Sequence, residues 1–434
     1  MDLTTLDERL GEQPVTAAEH RIREAVERCA DALVESATWD RGRAGWLSWD
    51  LVAPNGRHAL RGGNPGLYDG DAGTAWACAY LARVLDRADL ADLARAGATH
   101  AIARVQTVRT AGLLAGRSGV QAAAHAISEL IGETLPGLCE LECVPVDAAI
   151  GFDVTDGLAG LVLATVRCNV SPHDGLDGVR LLAAGARPEP LGCSWAGPEV
   201  VGEPMSGRAL CGVAHGNSGI AWALAEAAWA YPEIGAPALT LCGRAVRWEA
   251  AWFDPMKSAW PDLRTDPPGY PAWWCHGAAG IGAVRLRLLQ LQRAGLEIPL
   301  PVATLQADAE AALQTCAQAL TMAFQRGQQY GPSGIPHGLT LCHGLGAAID
   351  LMLLAFDVLG SPDHLAGAQF FADEVLTILG EDPWRWPSGH EAGDSTGLFL
   401  GLAGTALVLA RAGYPDHRIP APSLLPVGDL LPAR

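Results

Sequence analysis

Positive charge is scarce in this sequence. Thirty Lys and Arg stand against 48 Asp and Glu, a formal charge of −18 with histidine neutral. That balance argues against nucleic-acid backbones, which reward clustered basic residues, and against anionic membrane surfaces. Long apolar runs are missing too. The longest tempting stretch, Gly397 to Ala410, has 14 residues, short of the roughly 18 a spanning helix needs. The opening Met-Asp-Leu-Thr-Thr-Leu-Asp-Glu is neither basic nor apolar enough for a secretory signal, so a cytoplasmic protein is expected. Charged residues make up only 18% of the 434 and hydrophobic ones 49%, which excludes disorder for the bulk of the chain. Eleven cysteines, an odd number without a secretory signal, form a poor disulfide framework and a better store of buried thiols and metal ligands.

What is abundant is glycine, and it recurs in a pattern. A Gly-x-x-Gly tetrad followed by a small, apolar run appears as Gly70-Asp71-Ala72-Gly73, Gly116-Arg117-Ser118-Gly119, Gly157-Leu158-Ala159-Gly160 and Gly216-Asn217-Ser218-Gly219. It returns as Gly277-Ala278-Ala279-Gly280, Gly344-Leu345-Gly346-Ala347 and Gly401-Leu402-Ala403-Gly404, the sixth copy ending in alanine. Successive first glycines lie 41 to 67 residues apart, enough for a helix pair with its loops, and such self-similarity marks a repeat architecture. The runs after the tetrads are proline-free and apolar nearly all round, as for helices buried on both sides. Stretches between them, such as Leu305 to Arg326, are amphipathic and read as outer helices with one wet face. The tetrad glycines are expected at the entry of each inner helix, supplying backbone freedom and room for crowded neighbours. Convincing strands are few. The Pro-rich loops from Pro188 to Val213 and Trp252 to Trp274 read as ordered excursions at one rim. The predicted fold is all-α, an (α/α)7 double toroid of seven inner and seven outer helices. Residues 1–65 are expected to form lead-in helices and 415–434 a proline-rich tail.

Three of the seven turns carry chemistry. The fourth reads Gly212-Val-Ala-His215-Gly216, the fifth Trp273-Trp274-Cys275-His276-Gly277 and the sixth Leu341-Cys342-His343-Gly344. In a ring all inner-helix N-termini face one end, so these side chains converge, and a helix N-terminus favours a thiolate. Two thiolates and one imidazole make a zinc triad with a fourth position open for substrate. The spacing alone leaves the three ligands to be chosen from Cys275, His276, Cys342 and His343, with His215 at the matching position one repeat earlier. The third turn, Phe152-Asp153-Val154-Thr155-Asp156-Gly157, brings carboxylates to the same rim. Asp156 fits a helix N-cap and Asp153 is freer to face the cavity. Cys139 and Cys143 form the one rival pair, with a spacing that suits zinc poorly; the remaining thiols read as core or loop residues.

These residues resemble lanthionine synthetase C-like (LanC-like) proteins, over roughly Gly66 to Ala412. The resemblance implies a single LanC-like cyclase domain over 1–434, with Zn2+ held by Cys275, Cys342 and His343. It implies His215 as catalytic acid/base and Asp153 as its counterpart in the third repeat, with Phe152 in place of a tyrosine. His276 and Trp274 become candidates for supporting the ligands. Cyclases of the family add cysteine thiols to dehydroalanine or dehydrobutyrine in a precursor peptide, closing thioether rings. Some carry an arginine four residues before the first zinc cysteine; here that position is Pro271, and the nearest upstream arginine is Arg264. With no room for a further catalytic domain before Gly66, a stand-alone cyclase is expected, with the dehydrated precursor peptide (leader plus core) and a separate dehydratase as partners.

Two other functions fit parts of the sequence. A zinc-thiolate alkyl-transfer enzyme like the protein prenyltransferase β-subunits would hold its metal with Asp, Cys and His, and the Cys-His pairs count against it. A non-catalytic glutathione- or peptide-binding LanC-like protein has no use for an open metal site. Trp195, Trp252, Trp260 and Trp273 offer either peptide contact or loop packing. The net negative charge suits a basic substrate segment or simply a solvated surface.

Overall fold

Each glycine tetrad opens a helix. A computed structural model describes residues 16–53, 57–141, 145–147, 149–168, 172–199, 206–390 and 393–425. After a helix α1 (Ala17–Glu35), the tetrads start α2 (Asp71–Leu85), α4 (Arg117–Ile131), α5 (Leu158–Cys168), α7 (Asn217–Ala230), α9 (Ala278–Ala294), α11 (Gly346–Leu359) and α13 (Leu402–Gly413). Between them run α3 (Ala88–Arg104), α6 (Pro172–Gly185), α8 (Gly235–Ala250), α10 (Val302–Tyr330) and α12 (Pro362–Leu379).

Crowding, not backbone freedom, explains the glycines. The N-cap glycines Gly70, Gly116, Gly216, Gly277 and Gly401 all have negative φ, from −105° to −153°. A Cβ on the last glycine of six tetrads would lie 1.6–2.1 Å from the carbonyl oxygen of the residue six positions earlier. The sixth copy escapes by a shifted turn. Its helix takes Leu345 as N-cap, and Gly346 makes the close approach, 2.1 Å from Leu339 O, so Ala347 is accommodated.

The seven tetrad helices pack side by side, and α13 packs on α2 to close the ring. They are the buried layer: every residue of α13 is buried. The outer layer shows the one-sided burial expected of Leu305 to Arg326, with Leu305, Ala309, Ala312, Leu313, Cys316 and Leu320 inside. Among the described residues there are six outer helices rather than seven. Gly132 and Gly137 at positive φ, with Pro136 and Pro145, break the segment after α4, leaving one 3-10 turn at Leu138–Glu140. Residues 142–144, which include Cys143, lie outside the described part. The N-terminal α1 supplies the outer partner of α13, joined to it by Arg23 to Gly413 O at 2.7 Å and to α12 by Arg21 to Asp373 at 2.5–2.6 Å.

The lead-in is less helical than expected. Two antiparallel hairpins follow α1, β1 (Thr38–Asp40) with β2 (Arg43–Gly45), and β3 (Leu47–Ala53) with β4 (Arg57–Gly62). Arg41 and Gly42, both at positive φ, make the first turn, as a two-residue hairpin loop requires. A third hairpin, β5 (Arg187–Glu189) with β6 (Gly192–Ser194), lies in the loop after α6. The proline-rich tail is a strap as far as residue 425. Its Ser423 N–H donates to Asp350 Oδ2 and its carbonyl accepts from Trp274 Nε1, at 3.1 and 2.9 Å. Among the described residues no helix is long and apolar enough to cross a membrane.

Close approach at the tetrads has a measurable cost. Gly119→Ala places a methyl 1.6 Å from Leu113 O and is expected to lower unfolding stability by about 2–3 kcal/mol. Gly269→Ala, whose Cβ meets nothing within 4 Å, should shift it by less than about 0.5 kcal/mol. Urea unfolding of the two variants makes the comparison.

Candidate metal centre

The turns that open the inner helices are laced to one another by backbone hydrogen bonds. Leu67 and Tyr68 N–H donate to Leu114 O, Leu114 N–H to Thr155 O, and Thr155 N–H to Ala214 O. Ala214 N–H donates to Cys275 O, Cys275 N–H to Cys342 O, Cys342 N–H to Phe399 O, and Phe399 N–H to Tyr68 O, at 2.8–3.3 Å. The belt is closed. It places Tyr68, Leu114, Thr155, Ala214, Cys275, Cys342 and Phe399 at equivalent positions. Asp69, Ala115, Asp156, His215, His276, His343 and Leu400 follow, one step nearer each helix. The polar side chains of the fourth, fifth and sixth turns thus meet at one rim.

Cys275, Cys342 and His343 come together, with one potential ligand atom from each inside a 4.8 Å span. Both cysteines are buried. His343 Nε2 donates to Gly389 O at 2.8 Å, which leaves Nδ1 for a metal, the usual way a carbonyl fixes a ligating imidazole. Its ring lies edge-on to His337 at 4.5 Å and to Trp273 at 5.9 Å. The two thiols share a hydrogen bond. That bond, with others from His343 and Tyr68, pulls Cys342 well below the ordinary thiol value against the opposing effect of burial. The same bond, then burial, pushes Cys275 well above it. Two buried thiols cannot both ionise without a cation between them. Two sulfurs and one nitrogen, closely spaced and held from behind, fit a thiophilic divalent ion.

The neighbouring polar groups are ordered as well. His215 Nδ1 lies 2.9 Å from Asp153 Oδ2. Asp153 Oδ1 accepts from Asp156 N at 2.8 Å and Gly157 N at 3.2 Å. The sequence-based roles of the two aspartates therefore change. Asp153 caps the turn and holds His215 with its other oxygen, while burial and Asp153 raise the pKa of Asp156. His276 stacks on His215 with ring centroids 5.7 Å apart. Burial, helped by Arg264, pushes its pKa down to about 3, so its ring is neutral. Trp274 turns away from the donors. Its ring packs on Phe399 at 4.6 Å and its N–H on the strap. Trp195 and Trp260 are buried and serve packing; Trp252 is exposed.

Several contributors were not singled out by the sequence. Tyr68, Gly389 and His337 carry no local motif and become visible only through the belt and the contacts of Gly389 and His337 with His343. Arg264 was noted for its position alone. Asp262 clamps its guanidinium through 2.7 and 3.0 Å bonds, within electrostatic reach of both thiols. Glu249 accepts from Gly212 N at 2.8 Å, from Ser218 N at 3.2 Å and from Arg285 at 2.8 Å, and it also binds the Ser218 hydroxyl. This buried cluster fixes the turn that carries His215. No disulfide joins cysteines among the described residues, and Cys139 is exposed, away from the cluster.

A family model described as lanthionine synthetase C-like protein matches residues 63–425. Among solved structures, nisin cyclase superposes with a TM-score of 0.59 and 17% identity, covering 94% of this chain and 98% of its own. At that identity the likeness speaks for the fold. No curated protein sequence matches the chain significantly.

The donor set predicts a stoichiometry. Elemental analysis should find about one thiophilic divalent ion per chain, lost in Cys275→Ala and in Cys342→Ala while their circular dichroism stays helical. An unchanged metal content in both variants would remove the cluster as the binding site.

Proposed function

The chain belongs to the lanthionine synthetase C-like family, and from that premise we propose that it is a zinc-dependent peptide cyclase forming thioether rings. Its substrate on this reading is a precursor peptide already carrying dehydroalanine or dehydrobutyrine, supplied by a separate dehydratase. The reading rests above all on the convergence of Cys275, Cys342 and His343 beside the Asp153–His215 pair. Prenyltransferase-type chemistry loses its support, because among the described residues no aspartate joins the three donors.

Zinc held by Cys275, Cys342 and His343 would supply the Lewis acidity that keeps a substrate thiol ionised near neutral pH. The chain's own groups do the rest. Gly389 O fixes the imidazole of His343, and the Tyr68 phenol shares its proton with Cys342 Sγ, steadying the buried sulfur. Addition of the cysteine sulfur to the β-carbon of the dehydro residue leaves the α-carbon needing a proton. His215 is the group that delivers it. Its side chain is partly open to solvent, an imidazole is suited to general acid–base work, and Asp153 anchors Nδ1 so that Nε2 is left to exchange the proton. Asp153 orients rather than shuttles, since one oxygen is taken by two backbone N–H groups and the other by His215. The neutral His276 ring has no proton to give near pH 7; stacked on His215, it excludes water from one face.

The test is turnover of a dehydrated, cysteine-containing peptide by metal-loaded protein, read by mass spectrometry after alkylation of remaining thiols. Rings are expected to close with wild type. His215→Ala should slow closure by about 10²–10⁴-fold with zinc retained. Asp153→Asn should slow it less and shift its pH profile. Thiol loss no faster than in protein-free buffer, with zinc present, would leave a binding protein and sink the cyclase reading.

A further inference from the structure

Although the chain as a whole is acidic, one face of the rim is not. Residues 38–63 carry Arg41, Arg43, Arg57 and Arg61 against Asp40 and Asp50. A cleft of about 480 Å³ lies between the first hairpin, the end of β4 and α3, walled by Arg43, Arg104, His100, Trp46, Leu47 and Asp40, among others. Its floor is built. Buried Asp71, the first residue of α2, accepts Trp46 N–H at 2.9 Å, and its other oxygen lies 3.1 Å from His100 Nδ1. Arg104 Nε is tied to Gly63 O at 2.9 Å, which sets the guanidinium at the cleft edge. No carboxylate pairs with Arg43, Arg61 or Arg104 among the described residues.

Apolar surface lies beside this charge. Trp39, Leu47 and Leu60 are 53%, 49% and 46% exposed, on the two hairpins. The register pairs Leu47 with Gly62 and Trp49 with Leu60, so Leu47, Trp49 and Leu60 share one face. Among the described residues each hairpin is a sheet of two strands, so no third strand pairs with its edges there. The patch is also joined to the candidate metal centre. Trp49 Nε1 donates to Asp394 O at 2.9 Å, and His58 meets His390 edge-on at 5.0 Å. Gly389, one residue before His390, is the group that fixes His343.

We infer that this hairpin face binds an extended, acidic segment of the substrate peptide, with carboxylates between Arg43 and Arg104 and apolar side chains on Leu47 and Leu60. The inference deepens the proposed function, on which the identification of the occupant as substrate peptide rests. Guanidinium groups not already paired with a carboxylate recognise one by paired, charge-assisted bonds. Open strand edges and apolar side chains bind an extended chain irrespective of its exact sequence. A peptide seated here along β3–β4 runs towards His390 and Asp394, and its downstream part is delivered to the rim where Cys275, Cys342 and His343 meet. The overall negative charge repels the same peptide elsewhere, so the basic face selects the site.

Binding is measured by fluorescence anisotropy on metal-loaded, full-length protein. The probes are a fluorescein-labelled peptide of alternating Glu and Leu, its Gln-for-Glu counterpart and a single-stranded oligonucleotide. The acidic peptide is expected to bind at least tenfold tighter than the Gln peptide, with affinity falling as salt rises. Arg43→Glu with Arg104→Glu should weaken it at least tenfold, and Arg61→Glu alone several-fold, with metal content and helical circular dichroism unchanged. Equal affinity for the Gln peptide, or undiminished binding by both charge-reversal variants, overturns the inference; so does tighter binding of the oligonucleotide. Because no turnover is read, a failure here leaves the cyclase reading standing, and absence of ring closure leaves this result standing.

Discussion

The backbone belt around the rim is the constraint on which the rest depends. Each turn at the head of an inner helix uses its N–H groups on the next turn's carbonyl, and the last turn returns to the first. Buried backbone groups must find partners, and here the partners are turns far apart in sequence. Satisfying them fixes the register between neighbouring helices. The glycines answer a second demand: each turn folds back on its own backbone so closely that the glycine closing the tetrad has no space for a Cβ. Cys275 and Cys342 occupy adjacent belt positions, so the two sulfurs are brought together by main-chain bonds rather than by their own affinity.

Side-chain clusters hold the belt from outside. Arg285, fully buried on α9, binds Glu249 and Asp308, and its neighbour Arg287 binds Glu226 at 2.6 Å. Such pairs are weak sources of net stability, but each also carries geometry. Glu249 reaches the turn of His215, and Asp350 ties the strap beneath Trp274. The polar groups at the rim therefore sit on supports that are themselves fixed, as a preorganised site requires.

How much of this could be read in advance follows from what a local pattern can encode. The tetrads, their register and the Cys-His pairs were legible because the same tightly folded turn recurs seven times, shifted by one residue in the sixth. The triad of Cys275, Cys342 and His343 was legible only with family resemblance, since spacing left His276 equally eligible. The hairpins were missed although Leu47-Ser48-Trp49-Asp50-Leu51 alternates, because the surrounding helical pattern outweighed two short strands. The seventh outer helix, missing among the described residues, is argued against by Gly132, Pro136, Gly137 and Pro145, helix breakers that a count of seven helix pairs passes over. Arg285 and Arg287 broke the apolar expectation for an inner helix, and their partners on α7, α8 and α10 leave no mark in the local sequence. Tyr68 at the metal centre is likewise a long-range fact.

Closure of the belt has a consequence for synthesis. Cys342 hangs its N–H on Phe399, and Phe399 hangs its own on Tyr68. A chain leaving the ribosome can pair the early turns as they emerge, but its exposed seam has no partner until Phe399 is out. Contacts of such sequence separation are slow to form, and unpaired intermediates invite association. The belt that positions the donor set is therefore closed only once the seventh turn has been made, and the growing polypeptide must be kept from aggregating until that turn reaches the first.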